Sequence, residues 1–250
     1  MPDLVLMARL VCRAYRYKWK LCRPEIAAMC ELLPVGGVAI DVGAHKGGFS
    51  WSMARAVGPR GTVIAIEPQS RVTGPTARAF AAAGMKHVRV IQAAASDQPG
   101  ESQIAMRTRS THGASLTGIE GRGVENVRVP VVTVDGVAED HKFTRVDFIK
   151  IDTEGHERAV LSGAARVIER FRPSLLVEIE ARHHHASDAT QPADPVREIT
   201  ELLRDSGYDG WFFPASGRAT LVSQFDASVH QVYGQGTYSN NFLFTQPGKM

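Results

Sequence analysis

VAIDVGAHKGGFS, residues 38–50, reads as a buried strand that runs into a glycine-rich turn and leaves it as a helix. Val38–Val42 is apolar except for Asp41, as a strand covered on both faces tends to be. A helix opening at such a turn offers unpaired backbone N–H groups, and glycines there let ligand and backbone approach each other. Similar apolar runs recur at Thr62–Ile66, Val88–Ala93, Phe148–Ile151 and Leu175–Ile179. Between them Phe49–Val57, Ser70–Met85 and His156–Arg170 carry helical patterns. This alternation predicts an α/β fold with a doubly wound, mostly parallel sheet. Ser102–Arg109 and Asn126–Val134 alternate polar and apolar residues around a stretch containing Gly113, Gly118, Gly121 and Gly123, which predicts an inserted β-hairpin. Gly207–Pro214 and Tyr238–Phe244 read as two more strands. With no repeat or linker, residues 1–250 read as one domain: a helical extension over 1–33 and an α/β core over 38–246.

The composition is that of an ordinary globular protein, 44% hydrophobic and 22% charged, with a formal charge of +3. So small an excess gives no reason to expect a nucleic-acid partner. Cys12, Cys22 and Cys30 match no zinc spacing, and a sparse, odd count predicts reduced thiols and a cytoplasmic setting. No apolar run is long enough to cross a membrane, and Arg9, Arg13 and Arg16 interrupt any signal-peptide core. The first thirty residues form a basic amphipathic helix, with Lys18, Lys20 and Arg23 adding to the three arginines. Such a helix packs on its domain, covers the acceptor site, or makes weak contact with a partner or a membrane surface.

The turn at Gly43 decides between cofactors. A dinucleotide fingerprint requires G-x-G-x-x-G, and its second glycine admits the pyrophosphate. Counted from Gly43, that position is His45, which argues against a nicotinamide or flavin dinucleotide. S-adenosyl-L-methionine has no phosphate, and its ammonium suits a strand-end acid such as Asp41. Glu67, 24 residues after Gly43, ends the second strand in Ile66-Glu67-Pro68 and is placed to accept both ribose hydroxyls. Ser96 or Asp97 can bond an adenine amino group, or can simply make the turn that Pro99-Gly100 continues. Alternation puts Lys150, Asp152 and Glu154 on one side of the fourth strand, at its carboxyl end, where ligands bind in such sheets. Asp152, Glu154 and His156 are the candidate bases; the alternative for Asp152 is a contact with the cofactor ammonium alone, and for Glu154 a cap on the following helix. His183-His184-His185 completes no metal-ligand set, so no metal is expected. Glu178 and Glu180 share a strand face, with Glu180 nearer the crevice.

Five stretches carry a family resemblance: DVGAHKGGFS (Asp41–Ser50), IEP (Ile66–Pro68), AASD (Ala94–Asp97), DFIKIDTEGHERAVLSGA (Asp147–Ala164) and RPSLLVEIE (Arg172–Glu180). With NNFLF (Asn240–Phe244), they resemble the FkbM-type methyltransferases. The resemblance spans about residues 38–180 and leaves out the N-terminal helix. It implies a Rossmann-like methyltransferase fold, S-adenosyl-L-methionine as cofactor, and O-methylation of a hydroxyl on a sugar, polyketide or related small metabolite. The positions it implies for the cofactor are Asp41, Gly43, His45, Gly47, Ser50, Glu67, Ser96, Asp97 and Asp152. The family usually has Asn where this chain has His45. A non-catalytic protein that kept the fold is the alternative, with a nicotinamide-dependent enzyme behind it.

Overall fold

The computed structural model describes residues 2–107, 124–180, 194–214, 216–232 and 238–250. Its centre is an eight-stranded sheet. In chain order the strands are β1 (Val38–Val42), β2 (Thr62–Ile66), β3 (Val88–Ile91), β7 (Phe148–Ile151), β8 (Ser174–Glu178), β9 (Asp209–Phe212), β10 (Thr220–Leu221) and β11 (Asn241–Thr245). Across the sheet they lie β10-β9-β11-β8-β7-β1-β2-β3. β1 is parallel to both β2 and β7, with Asp41 level with Ala65 on one side and Lys150 on the other. β11 runs antiparallel between β8 and β9. The chain leaves β1 toward β2 and later returns on the other side to β7, so a crevice opens beyond the carboxyl end of β1.

Side-chain alternation sorts the core into two layers. Ala39, Phe148, Leu176 and Leu243 face α2 (Arg23–Leu32) and α3 (Gly48–Val57) through Ile26, Met29 and Met53. Ile40, Ile149, Leu175 and Phe242 face the other way, toward α5 (Val134–Asp140), α6 (Glu157–Ser162), α7 (Ala165–Phe171) and α8 (Pro195–Asp205). α1 (Pro2–Arg16) packs on α3 and α4 (Ser70–Ala82), burying Leu10 against Ala79 and Phe80. A π-helical turn, Tyr17–Leu21, joins α1 to α2. No helix among the described residues is long and apolar enough to cross a membrane.

Several boundaries differ from the sequence reading. β3 ends at Ile91 instead of Ala93, and Ala94–Ala95 forms β4 in a separate three-stranded sheet. There it pairs with β6 (Val124–Val132), which also forms the expected antiparallel pair with β5 (Gly100–Arg107). β6 stops before Val134 because Thr133 caps α5, its Oγ1 accepting from the Gly136 N–H at 2.9 Å. The helix expected over His156–Arg170 is two helices broken at Gly163. A Cβ there would stand 2.1 Å from the Ser96 carbonyl oxygen, so the segment carrying β4 packs directly on the break. α4 stops short of Met85, and Gly84 at φ +72° carries the left-handed exit. The Gly113–Gly123 stretch and His183–His185 lie outside the described residues.

Candidate active site

A cavity of about 350 Å3 opens at the carboxyl ends of β1, β2 and β7. Of the residues expected there, Asp41, Gly43, His45, Glu67, Asp152, Glu154 and His156 line it. Gly47, Ser50, Ser96 and Asp97 do not. Gly47 faces Phe80, whose Cε2 would be 2.9 Å from a Cβ on it. Ser50 is fully buried and donates to Asp41 Oδ2 at 2.5 Å, holding the acid in place. One stretch of its wall is made by Ala93, Ala94 and Ala95. Ser96 and Asp97 fall beyond it because the chain turns into β4 two residues early.

The turn owes its shape to the protein first. Gly43, at φ +76°, sits where a Cβ would come 1.8 Å from the Asp152 carbonyl oxygen. Its glycine is therefore required by the approach of β7, whatever ligand binds. His45 takes φ +47°, a left-handed conformation in which Asn, Asp and His are enriched. The backbone thus suits a His at this position. Glu67 is buried and receives two backbone donors, the His45 N–H at 2.8 Å on Oε2 and the Gln69 N–H at 3.0 Å on Oε1. Burial raises its pKa, and those two N–H groups act against the rise. The Gln69 side chain also bonds to Glu67, and of the roughly four acceptor sites of a carboxylate that leaves one for a ligand hydroxyl.

The electrostatic centre is Lys150, which sequence reading placed on the right face but gave no role. Its side chain is 2% exposed, its Nζ lies 2.9 Å from Asp152 Oδ2, and it stands 4.7 Å over the Phe49 ring. Burial opposes its charge, and Asp152, Asp41 and Glu178 more than restore it, so its pKa lies above the ordinary lysine range. Burial likewise pushes Asp152 upward, but Lys150 and a hydrogen bond from Glu178 hold it below the usual carboxylate range. Glu178 goes the other way: burial, then the Asp152 charge, raise its pKa well above normal, which favours a carboxyl that donates a hydrogen bond to Asp152. Glu178 lines the cavity and Glu180 does not, reversing the expected order. Asn240 Nδ2 ties the two together, 2.7 Å from Glu178 Oε1 and 2.8 Å from Glu180 Oε1.

The loop after β7 is shaped by Glu157, another residue without a role in the sequence reading. Its Oε1 accepts from the Thr153 N–H, the Thr153 hydroxyl and the Gly155 N–H, each at 3.1 Å. That places Glu154, at φ +54°, and His156 on the cavity wall. Ser96 Oγ donates to Asp97 Oδ1 at 2.9 Å and lies 2.9 Å from His156 Nε2. Burial lowers the His156 pKa, against the pull of Glu157 and Asp97. Arg13, Tyr17 and Cys22 close the cavity from α1 and the π-turn, with Tyr17 edge-on to Phe49 at 5.8 Å. The basic amphipathic helix is thus part of the site wall.

A family model described as the methyltransferase FkbM domain matches residues 41–209. Among solved structures, a putative O-methyltransferase from Klebsiella pneumoniae has a TM-score of 0.53 at 12% identity, covering 96% of this chain and 88% of that one. A methyltransferase FkbM from Methylobacillus flagellatus KT gives 0.48 at 16% identity over 97% of this chain, which spans 58% of that protein's length. A SAM-dependent methyltransferase from Aquifex aeolicus gives 0.48 at 15% identity, covering 95% and 96% of the two chains. Among curated proteins nothing matches.

Proposed function

The chain belongs to the methyltransferase FkbM family, whose model covers most of its length, and from that premise we propose that it moves a methyl group from S-adenosyl-L-methionine to a hydroxyl oxygen of a small metabolite, a sugar or polyketide-like compound. The observation that carries the cofactor is Asp41. It lines the cavity, is 1% exposed, and its Oδ1 has no hydrogen-bond partner although Oδ2 is bonded to Ser50. A buried acceptor of this kind is costly unless a donor arrives, and a methionine ammonium is such a donor. Glu67 takes the ribose, and the Ala93–Ala95 wall leaves room for the adenine ring. Burial raises the Asp41 pKa while Lys150 and the Ser50 hydrogen bond act against the rise, and an arriving ammonium would favour its carboxylate form in the same way.

When bound, S-adenosyl-L-methionine supplies a methyl carbon made electrophilic by its sulfonium. The protein's part is alignment, which is worth up to about 7–11 kcal/mol, and removal of the hydroxyl proton. Of the three candidate bases, Asp152 is held by Lys150 and Glu178 and kept at low pKa, which suits it to positioning. His156 is the better base. Ser96 Oγ gives its one proton to Asp97 and so accepts from His156 Nε2–H, which leaves Nδ1 with a lone pair. Its lowered pKa keeps it neutral near pH 7, ready to take the acceptor proton.

The test is twofold: S-adenosylhomocysteine should raise the melting temperature while NAD does not, and labelled S-adenosyl-L-methionine should mark a hydroxyl compound in a metabolite extract. Tight NAD binding with no response to S-adenosylhomocysteine refutes the cofactor assignment. Binding without any labelled product leaves a fold-keeping binding protein and refutes the enzyme.

A further inference from the structure

We propose that the methyl acceptor is an anionic hydroxyl compound, gripped by its phosphate or carboxylate in a basic recess between α1 and the turn that follows β1. The inference rests on the methyltransferase reading. The recess has a volume of about 440 Å3, and its charged lining is Arg9, Arg13, Arg16 and Lys46, joined by Tyr17 and His45. Among the described residues no carboxylate lines it. Arg13, Tyr17, His45 and Lys46 also line the main cavity, so the recess opens directly on the site of methyl transfer.

Arg9, Arg13 and Arg16 stand at i, i+4 and i+7 on α1, one face of one helix. Like charges so placed repel, and among the described residues none of the three, nor Lys46, forms an ion pair. The same chain pairs its cations elsewhere: Arg78 with Asp3, Arg166 with Asp135 and Glu139, Arg145 with Asp147. Arg13 and Lys46 are also half-buried, and burial lowers the pKa of both. Partly dehydrated cations beside a reaction cavity bind an anion more strongly than exposed ones do. A neutral sugar or polyketide gains nothing from four of them.

The cofactor's own carboxylate is the competing occupant, and the two differ in which residues they need. Arg13 and Lys46 border both spaces, but Arg9 and Arg16 line only the recess. The experiment uses the full chain saturated with S-adenosylhomocysteine and titrated with pyrophosphate by calorimetry at low salt. Pyrophosphate should bind without displacing S-adenosylhomocysteine. The doubly substituted Arg9→Gln/Arg16→Gln chain should bind pyrophosphate at least about tenfold more weakly, with S-adenosylhomocysteine affinity kept within about twofold. Both arginines are exposed, so the variant folds; its melting temperature checks this. Competition by glucose 6-phosphate, but not by glucose, supports a soluble acceptor. Competition by phosphatidylglycerol vesicles alone supports a lipid headgroup, a source the exposed Tyr15 and Trp19 would favour. Displacement of S-adenosylhomocysteine, equal pyrophosphate binding by parent and variant, or no anion binding overturns the inference and leaves the cofactor assignment standing. Failure to bind S-adenosylhomocysteine at all is instead a failure of the methyltransferase reading.

Discussion

Replacing Gly43 with Ala should damage the protein through β7 before it touches any ligand. The new Cβ would lie 1.8 Å from the Asp152 carbonyl oxygen and 2.8 Å from its carbon, where contacts under 3.0 Å are essentially never seen. Both atoms belong to backbone that cannot rotate away, because the Asp152 N–H is itself bonded to the Val42 carbonyl at 3.0 Å. The ends of β1 and β7 must therefore part by more than an ångström. Overpacking of this kind costs about 1–3 kcal/mol, and a non-glycine residue at φ +76° adds about 1–2 kcal/mol. The expected loss is about 2–5 kcal/mol, or about 5–20 °C in Tm for a chain of this size. Gly36→Ala is the control: its φ is +80°, yet a Cβ there meets nothing within 4 Å, so only the left-handed term applies, about 2–8 °C. Differential scanning calorimetry of the two variants separates close approach from backbone conformation. Equal Tm losses would refute the claim that Asp152 dictates the glycine. In Gly43→Ala, S-adenosylhomocysteine affinity should fall as well, since Asp152 and the turn move together.

Glu67→Ala should weaken S-adenosylhomocysteine binding by about tenfold to a hundredfold, measured by calorimetry, and should also lower Tm, because the His45 and Gln69 N–H groups lose their acceptor; unchanged affinity would remove Glu67 from the ribose site. Asp152→Asn strips a neutralising charge from the buried Lys150 and should cost about 3 kcal/mol in urea unfolding, with weaker S-adenosylhomocysteine binding alongside; a variant as stable as the parent would deny the pair its structural role. Glu25, whose Oε2 is buried without a partner, has its pKa pushed by burial up to about 7. A folded-state pKa raised in this way gives stability that is full below the ordinary glutamate value and lost as pH rises through about 7. Relative to the parent, Glu25→Gln should therefore gain up to about 3 kcal/mol between pH 4.5 and pH 8.5, and a difference that stays constant with pH would contradict the assignment. Once an acceptor is known, His156→Ala should cut turnover about 100-fold or more with S-adenosylhomocysteine affinity intact, and parent activity should fall as acid protonates the imidazole; a flat pH profile would exclude it as the base.

The amino-acid sequence by itself determined the α/β alternation, the strand ends and the residues at those ends. Val38–Val42 and Phe148–Ile151 are local signals, because burial on both faces is written in consecutive residues. Asp41, Glu67 and Asp152 were legible for the same reason: a charge at the end of an apolar run has few explanations. What tertiary structure alone decided is which of those ends meet and what each residue does there. Gly43 answers to Asp152, more than a hundred residues away, and the sequence spacing carries no trace of that contact. Ser96 and Asp97 missed the cavity because the chain leaves the main sheet at Ile91 for the small one, a choice set by pairing with the distant β6. Lys150 and Glu178 took their roles from neighbours on β1, β7 and β8, since a proton's position in a buried cluster depends on every charge around it. Arg13 and Tyr17 joined the site because α1 packs across α3 and α4. Helical periodicity tells which face is apolar, and only packing tells what that face, and the basic one beside it, comes to cover.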